Sequence, residues 1–558
     1  MKNKKKHIKS LTLVIISLLL INILGNYFYK RFDLTQDKRF TLSEAAKKTI
    51  ATIDTPIFIE VFLEGDFPSE FKRLQSETKQ LLEEFEAYNR NVKFKFVNPS
   101  DIEGDAEALF KFGAKPAQVE VKENGKISTQ QIFPWAIATY NGRPIKIPLL
   151  KNQLGITSEE RVNNSIQNLE YAFSDGFNKL VHPKKRKVAV IKGNGELEDK
   201  YVVDFFSTLR DYYYIAPFTL DSASVAPVKT LEQIKEFDLI VIANPTEAFS
   251  EKEKYILDQY TMNGGSSLWL IDAVELIKDT VSGNDFGFGK ELNLTDFFFK
   301  YGIRVNPNLV KDVYSAPILL ASGSERESQY NRYPWFYSPL SSSANNHPIV
   351  TNIEAVKFEY ASSIDTLPNS LKKTILLSSS PMSKIVGMPV EIDITKEIYK
   401  NLKIVNEGPS EKEYNSREIP LSVLLEGSFP SAYSNRIKPF AISEDKSNSL
   451  PTKMVVISDG SIIANQFQNN RPLELGFDKW TSAFYGNKEF LLNTVNYLLD
   501  DSGLINIRSK EISVPFLDPQ KATEQLTLWQ LVNILLPLVL LGVFGFGFNY
   551  FRKRKYTN

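Results

Sequence analysis

Cysteine is absent from this 558-residue chain, and histidine occurs only three times. Without cysteine there are no disulfides, no thiolate metal site, no thiol nucleophile and no lipid-modified N-terminal cysteine. His7 lies in a basic tail, and His182 and His347 each precede a proline in turn-like sequence, so little supports a catalytic histidine. We therefore expect a protein that is not an enzyme and that carries no metal or cofactor.

Neither sign of charge is in excess, because 67 Lys and Arg residues face 66 Asp and Glu residues, which gives a formal net charge of +1. A near-neutral chain gives no indication of a nucleic-acid partner. The Walker A pattern Gly-x-x-x-x-Gly-Lys-Ser/Thr does not occur either. Any ATP-driven step must therefore draw its energy from another chain.

Long hydrophobic runs are confined to the two ends of the chain. The run 8–28 follows the basic tail 1–7, and the run 526–550 precedes the basic tail 551–558. Each has about the 20 residues that a helix needs to cross a bilayer. The positive-inside bias then keeps both tails in the cytoplasm and places the bulk of the chain in the periplasm, anchored in the inner membrane. The alternatives are a cleaved signal peptide for the first run and a buried core helix for the second.

The region 29–157 shows a β-α-β-α-β-β pattern. Alternating or apolar residues predict strands, and helical periodicity predicts helices. The strands are predicted at Ile57–Leu63, Val92–Val97, Ala117–Lys122, Gln131–Tyr140 and Pro144–Leu149, and the helices at Glu70–Arg90 and Asp105–Phe112. This order resembles a thioredoxin-like fold. Because no Cys-x-x-Cys pair exists, only the scaffold can be shared and redox chemistry is excluded.

A polar helix and a basic hinge, 158–186, are expected to link this domain to a larger α/β domain at 187–503. Here apolar strands alternate with helices, as in a doubly wound sheet. The strands are predicted at Val188–Ile191, Phe237–Ala243, Ser267–Ile271 and, after a β-containing insertion at about 291–450, Met454–Ser458. The pattern resembles the class I glutamine-amidotransferase-like (flavodoxin-like) fold in a degenerate form, because the cysteine nucleophile is missing. An extended juxtamembrane stalk is expected at 504–525.

Polar residues follow the predicted strands of the larger domain. Asn194, Glu196, Asn244 and Asp272 are placed at the carboxyl edge of the sheet, where open α/β sheets bind ligands. They are candidates for holding a sugar or a peptide. The alternative is that they are turn and cap residues, and the Gly193-x-Gly195 pair lacks the third glycine of a dinucleotide fingerprint.

The second hydrophobic run contains residues that suit contact with another membrane helix. Gln530 and Asn533 can form hydrogen bonds within a membrane, and Gly542 and Gly545 allow helices to approach closely. These four residues are candidates for contact with a permease. The alternative is that glycine is simply common in membrane helices.

Several short motifs occur in a fixed order along the whole chain. They are Phe32-Asp33-Leu34-Thr35, Arg39-Phe40-Thr41-Leu42-Ser43, Phe71-Lys72-Arg73-Leu74, Gly193-Asn194-Gly195-Glu196-Leu197 and Gly486-Asn487-Lys488-Glu489-Phe490-Leu491-Leu492-Asn493. With both anchors, they make the chain resemble the GldG family, the auxiliary, substrate-binding-like components of the ABC transporter associated with gliding motility in bacteroidetes. The resemblance implies a partner permease and a cytoplasmic ATPase, and it supplies no substrate and no catalytic residues.

The leading hypothesis is a non-catalytic, two-span accessory subunit of an ABC transporter complex associated with gliding motility. It would either present a ligand or transmit the ATP-driven change across the membrane. The alternative is a structural or mechanical link between the inner membrane and the gliding or secretion machinery, in contact with envelope motility components. A hydrolase with paired carboxylates is a third class, but no spacing in the sequence singles out a pair.

Overall fold

The computed structural model describes residues 9, 11–20, 22, 41–65, 67–99, 109–110, 112–114, 116–123, 126–151, 156–322, 329–342, 345–500, 502–510 and 519–556. They fall into two units, Met1–Glu511 and Ile512–Asn558. The predicted helix at Asp105–Phe112 lies largely outside the described residues, and so do residues 8, 10, 21 and 23–28 of the predicted first span at 8–28. Within that span a short apolar helix, Leu11–Leu20, is described.

A four-stranded mixed sheet organises the front part of the chain, 41–181. Its elements are α1 (Glu44–Ala51), β1 (Ile57–Val61), α2 (Ser69–Tyr88), β2 (Val92–Phe96), β3 (Ala117–Glu123), β4 (Lys126–Ile132), β5 (Trp135–Tyr140), β6 (Arg143–Pro148) and α3 (Ser158–Val181). The strand order is β2-β1-β5-β6, with β1 parallel to β2 and the other pairs antiparallel. Strands β3 and β4 form a separate hairpin. The strand predicted at Gln131–Tyr140 is in fact two, because Pro134 separates β4 from β5.

Helix α3 forms where the sequence predicts an amphipathic helix, and its apolar face is part of the core of the front part. Phe173 and Phe177 on α3 are fully buried and pack against Phe85 of α2, with ring centroids 6.3 and 5.2 Å away. Gly176 lets the helix approach β6 closely, since a Cβ there would lie 2.7 Å from Cδ1 of Ile147. Its burial in the core was not predicted, because polar residues outnumber apolar residues along this long helix.

The main part, 187–499, contains a seven-stranded sheet of order β19-β22-β23-β10-β9-β7-β8. Three of these strands come late in the chain: β19 (Lys372–Ser378), β22 (Pro420–Gly427) and β23 (Thr452–Ile457). Its first half comprises β7 (Lys187–Lys192), α4 (Asp199–Leu209), β8 (Tyr214–Thr219), α5 (Pro227–Ile234), β9 (Leu239–Ala243), α6 (Glu251–Met262) and β10 (Ser266–Leu270). Strands β8, β7, β9, β10 and β23 are mutually parallel. Apolar clusters cover both faces of the sheet, which explains why β9 and β10 are buried along their whole length.

The middle of the main part is not a simple insertion, because two of its strands belong to the main sheet. Its elements are β11 (Val274–Lys278), β12 (Asp285–Gly289), α7 (Thr295–Tyr301), β13 (Ile303–Val305), β14 (Asn308–Asp312), β15 (Ser315–Ser322), β16 (Gln329–Ser341), β17 (Val356–Lys357), β18 (Ile364–Thr366), β19 (Lys372–Ser378), β20 (Ser383–Gly387), β21 (Val390–Ile392), α8 (Ile394–Glu407) and β22 (Pro420–Gly427). Strand β22 pairs antiparallel with β23, and β19 pairs antiparallel with β22. The insertion predicted at about 291–450 therefore extends the sheet by two strands.

The chain then returns to the centre of the sheet. The remaining elements of the main part are β23 (Thr452–Ile457), β24 (Phe467–Gln468), β25 (Arg471–Pro472), β26 (Phe477–Asp478), β27 (Ala483–Phe484) and α9 (Asn487–Leu499). Strand β23 pairs in parallel with β10, so the prediction that Met454–Ser458 completes the same sheet is confirmed.

The segment after α9 differs from the extended stalk that the sequence predicts. Leu504–Ser509 forms a 3₁₀ helix in which Leu504 and Ile507 join the apolar core of the front part. An extended conformation is therefore wrong for these residues, because their apolar side chains are buried.

In the second unit, α10 (Pro519–Glu524) is followed by α11 (Leu526–Tyr556). Within α11, Leu526–Arg554 is 29 residues long and is the one helix of the described residues that is long and apolar enough to cross a membrane. It coincides with the predicted second span, 526–550.

Candidate functional site

The carboxyl ends of β7, β9, β10 and β23 lie side by side at one edge of the main sheet, and polar residues follow each of them. The strand order brings the loop 193–196 next to Asn244, Asn244 next to Asp272, and Asp272 next to Asp459. All four candidates predicted from the sequence therefore occupy this edge. They belong to two separate hydrogen-bonded groups.

The first group is the turn after β7. The backbone N–H of Asn194 donates to Oε2 of Glu196 at 2.9 Å, and Nδ2 of Asn194 donates to Oε2 of Glu253 at 3.4 Å. The carbonyl oxygen of Asn194 accepts the N–H groups of Thr246 and Glu247, both at 2.9 Å, which ties the turn to the loop after β9. Most of the polar groups of this turn thus form hydrogen bonds within the turn or to the loop beside it. This is what we expect if these residues are turn and cap residues.

Two acceptors in this turn are nevertheless unmatched. Oδ1 of Asn194 and Oε1 of Glu196 are buried and have no hydrogen-bond partner among the described residues. Burial also raises the pKa of the Glu196 carboxyl. Acceptors left without donors favour groups that donate, such as hydroxyls or water.

The second group gathers around Asp272. Its Oδ1 accepts the backbone N–H of Gly460 at 2.6 Å, and Lys290 donates to Oδ1 of Asn244 at 3.4 Å. Glycine at 460 allows this packing, since a Cβ there would lie 2.4 Å from Cγ of Asn244. Asn244 itself has a φ of 50°, a left-handed conformation that asparagine tolerates.

Asp459 completes this group, although it is not among the ligand-binding candidates predicted from the sequence. Its side chain is fully buried, and its Oδ2 accepts the N–H of Glu359 at 2.7 Å while Oδ1 accepts the N–H of Ser461 at 2.8 Å. Burial, together with the neighbouring charge of Asp272, raises the pKa of Asp459 to about 8. Burial is also the main cause of the raised pKa of Asp272. The signal was present, because a strand predicted to complete this sheet must place the residue after it at the same edge.

The raised pKa of Asp459 allows this side chain to keep its proton at neutral pH. Among the described residues, no group of three or more His, Cys, Asp or Glu side chains could hold a metal ion. The polar groups described at this edge are therefore hydrogen-bond donors and acceptors.

A partly buried ion cluster joins the front and main parts. Nζ of Lys151 and Nη2 of Arg508 lie 2.9 and 2.6 Å from Oε1 of Glu489. Arg508 also donates to the carbonyl of Thr351 at 3.1 Å, and Lys151 donates to the carbonyl of Asn352. Burial lowers the pKa of Lys151, whereas the two cations outweigh burial and lower the pKa of Glu489.

A second contact lies close by in the sequence. Nζ of Lys510 is 2.7 Å from Oε2 of Glu170 on α3 and donates to the carbonyl of Thr41 at 2.8 Å. Oε1 of Glu170 accepts the N–H of Ser43 at 2.6 Å. The segment 504–510, which precedes the C-terminal unit in the chain, is thus held by charged contacts to both parts.

The four predicted permease-contact residues all lie on α11. Gln530, Asn533 and Gly542 are exposed, and Gly545 is half-buried. A Cβ at Gly542 or Gly545 would meet nothing within 4 Å, so both glycines face open space.

The fold defines a mixed α/β protein with one candidate membrane-spanning helix near its C-terminus. The chain belongs to the family described as ABC-type uncharacterized transport system, whose model matches residues 185–494. The predicted kinship with auxiliary components of ABC-type transport systems is therefore confirmed, and with it an association with ABC transporter components. The gliding-motility association stays a prediction.

Three further similarities were found. Residues 36–139 match a domain of unknown function, DUF7088. An uncharacterized protein of Borreliella burgdorferi is 23% identical over 568 residues and covers 100% of both chains. A solved structure, the mmIFT52 N-terminal domain, is 13% identical with a TM-score of 0.32, and the match covers 56% of this chain and 98% of that one.

Proposed function

We propose that this chain is a non-catalytic, membrane-anchored accessory subunit of the GldG kind, working with an ABC permease and a cytoplasmic ATPase in gliding motility. Both termini lie in the cytoplasm and the bulk of the chain lies in the periplasm, as the basic tails favour. The front part is a thioredoxin-like scaffold, which its strand order supports. The main part is a degenerate amidotransferase-like domain, which its parallel strands covered on both faces support.

One structural observation supports a role in transmitting a conformational change. Arg508 and Lys510, which the chain places between the main part and the candidate membrane helix, form partly buried charged contacts, Arg508 to the main part and Lys510 to the front part. A force applied to the helix by a moving permease would reach this segment through the chain. Separating these charges from their partners would raise the free energy of the folded protein. The segment therefore resists independent movement. The geometry therefore suits an accessory subunit that transmits a conformational change.

The test is recovery of the intact chain from its native membrane in a mild detergent, followed by mass spectrometry and an ATPase assay. We expect a stoichiometric permease and ATPase, and ATP turnover that changes when the chain is removed. Replacing Gly542 and Gly545 together by Leu should lower recovery of the permease, because bulk at these positions blocks close helix approach.

Val539→Leu with Val543→Leu is the matched control on the same helix, since it adds bulk without filling a glycine position. Unchanged recovery with the glycine variant would remove the role of these glycines in permease contact. Recovery of envelope or motility components with no ATPase would overturn the transporter proposal and favour the mechanical link.

A further inference from the structure

A cavity of about 420 Å³ opens beside Asp459, next to the carboxyl edge of the main sheet. The loop after β23 forms its floor, and the small hairpins β24–β25 and β26–β27 contribute to its walls. Its volume falls within the range of small-molecule sites, and its position is the one where open α/β sheets bind ligands.

Five aromatic side chains line this cavity. Tyr201 and Phe467 meet edge to face with centroids 5.7 Å apart, and Phe477 and Tyr485 also line the cavity. Trp480 is different, because 60% of its surface is exposed although it is the largest side chain of the group. Nζ of Lys479 lies over one face of this indole, 4.8 Å from the ring centroid, which leaves the opposite face as the platform for a flat, apolar surface.

The charges around the cavity balance one another. Nζ of Lys357 lies 2.7 Å from Glu359 and 3.7 Å from Asp478, and Lys479 donates to the carbonyl of Phe467 at 2.8 Å. Asp459 on the floor retains its proton at neutral pH, because burial and the charge of Asp272 raise its pKa to about 8. The lining thus has no unbalanced charge that would select an ion.

A ligand that fits these walls must be neutral, must offer an apolar face and must exchange hydrogen bonds at its edges. Saccharide rings have these properties, since their C–H faces stack on aromatic rings while their hydroxyls both donate and accept. Glu359 is exposed and lines the cavity with Ser461, whose hydroxyl donates to Oδ1 of Asp459 at 2.8 Å, so both side chains offer acceptor oxygens to a hydroxyl.

We infer that this cavity binds a neutral saccharide of one or two rings, which stacks on Trp480 and forms hydrogen bonds with Glu359 and the floor. The inference rests on the proposed function and deepens it, because it names the class of ligand that an accessory subunit would present. It also differs from the site predicted at Asn194 and Glu196, which belong to a neighbouring turn at the same edge.

The test is calorimetric titration of the full chain, in a detergent without a sugar headgroup, with maltose, cellobiose and N,N′-diacetylchitobiose. We expect at least one of them to bind, and Trp480→Ala to weaken that binding by about tenfold or more, as loss of a central aromatic contact does. Glu359→Gln, which keeps the size of the side chain, should weaken it less. Tyr399→Ala is the control, because Tyr399 is 73% exposed and lies on α8, outside the cavity lining.

Failure of all three disaccharides to bind would overturn the inference, and so would binding that survives Trp480→Ala. Binding of trialanine in place of the sugars would also overturn it and would assign a peptide. None of these results bears on co-purification with the permease, which Trp480→Ala should leave unchanged. The ligand inference and the subunit proposal therefore fail separately.

Discussion

Asp459 and Asp272 show how opposing effects are resolved at a single pair of residues. Backbone N–H groups of Glu359, Ser461 and Gly460 favour the ionised carboxyls, whereas burial and mutual repulsion favour the protonated ones. Burial and repulsion win, because the pKa of both carboxyls is raised. The folded protein thus binds protons here at pH values where the unfolded chain has released them.

The first prediction follows from this difference in proton binding. Both folded pKa values lie above the ordinary value of 3.8, so the unfolding free energy falls as pH rises from about 4 towards 8. Asp272→Asn should make this fall smaller, because it removes one titrating group and the charge that repels Asp459. Urea unfolding midpoints of the full chain at pH 5 and pH 8 measure the effect.

Glu275→Gln serves as the control, since Glu275 is an exposed carboxylate on β11. It should leave the difference between pH 5 and pH 8 as in the unmodified chain. An equal pH dependence in Asp272→Asn and the unmodified chain would contradict the proposed coupling of the two carboxyls.

The sequence predicted part of this edge and missed the rest for a physical reason. Asn244 and Asp272 directly follow apolar runs whose strand character is visible locally, Asn194 follows such a run after two residues, and each lies where it was expected. Asp459 belongs with them only because β23 pairs with β10 after a long excursion of the chain. Its burial and its raised pKa arise from that pairing, and no local pattern encodes them.

At the scale of elements, helix starts are easier to predict from the sequence than strands whose partners lie far along the chain. Ser43 and Ser250 directly precede α1 and α6, and their hydroxyls accept the N–H groups of Ala46 and Glu253. Strand β8 and helix α5 were missed. A cap acts within one turn of chain, so sequence reveals it, whereas a strand's place in a sheet depends on distant partners.

Ser250 offers a test at this scale. It forms a capping box with Glu253 at the start of α6, a helix buried from Lys254 to Met262. Ser250→Ala should destabilise the first turn by about 1 kcal/mol, because one N–H group loses its acceptor. Hydrogen exchange of the α6 amides should then quicken by about fivefold. Ser250→Asn, which preserves the cap, should show the exchange rates of the unmodified chain, and equal rates in all three proteins would show that the cap does not matter.

At the scale of the whole molecule, the ion cluster around Glu489 is the contact that most directly joins the front and main parts. Lys151, Glu489 and Arg508 come from three separate regions of the chain, and the side chain of Arg508 is only 3% exposed. Removing one member of such a cluster costs more than the pair contributes, because the remaining charge loses its partner.

A double-mutant cycle tests this joint. Lys151→Met and Arg508→Met should each cost about 2 kcal/mol of stability, and together they should cost more than their sum, because Glu489 then has no cation. Adding Glu489→Gln to the double variant should recover part of the loss. Urea unfolding midpoints give the values, and strict additivity without recovery by Glu489→Gln would contradict the idea of a shared cluster.

The pairing of β10 with β23 also governs how the protein can be made. When synthesis has just passed β10, that strand has its partner β9 on one side and an open hydrogen-bonding edge on the other. The edge stays open until β23 emerges and pairs with it. Open apolar edges attract other chains, and pairings that wait for distant residues form slowly. A nascent chain of this kind depends on holding by chaperones, so its yield in a heterologous host should be limited by aggregation before its last central strand appears.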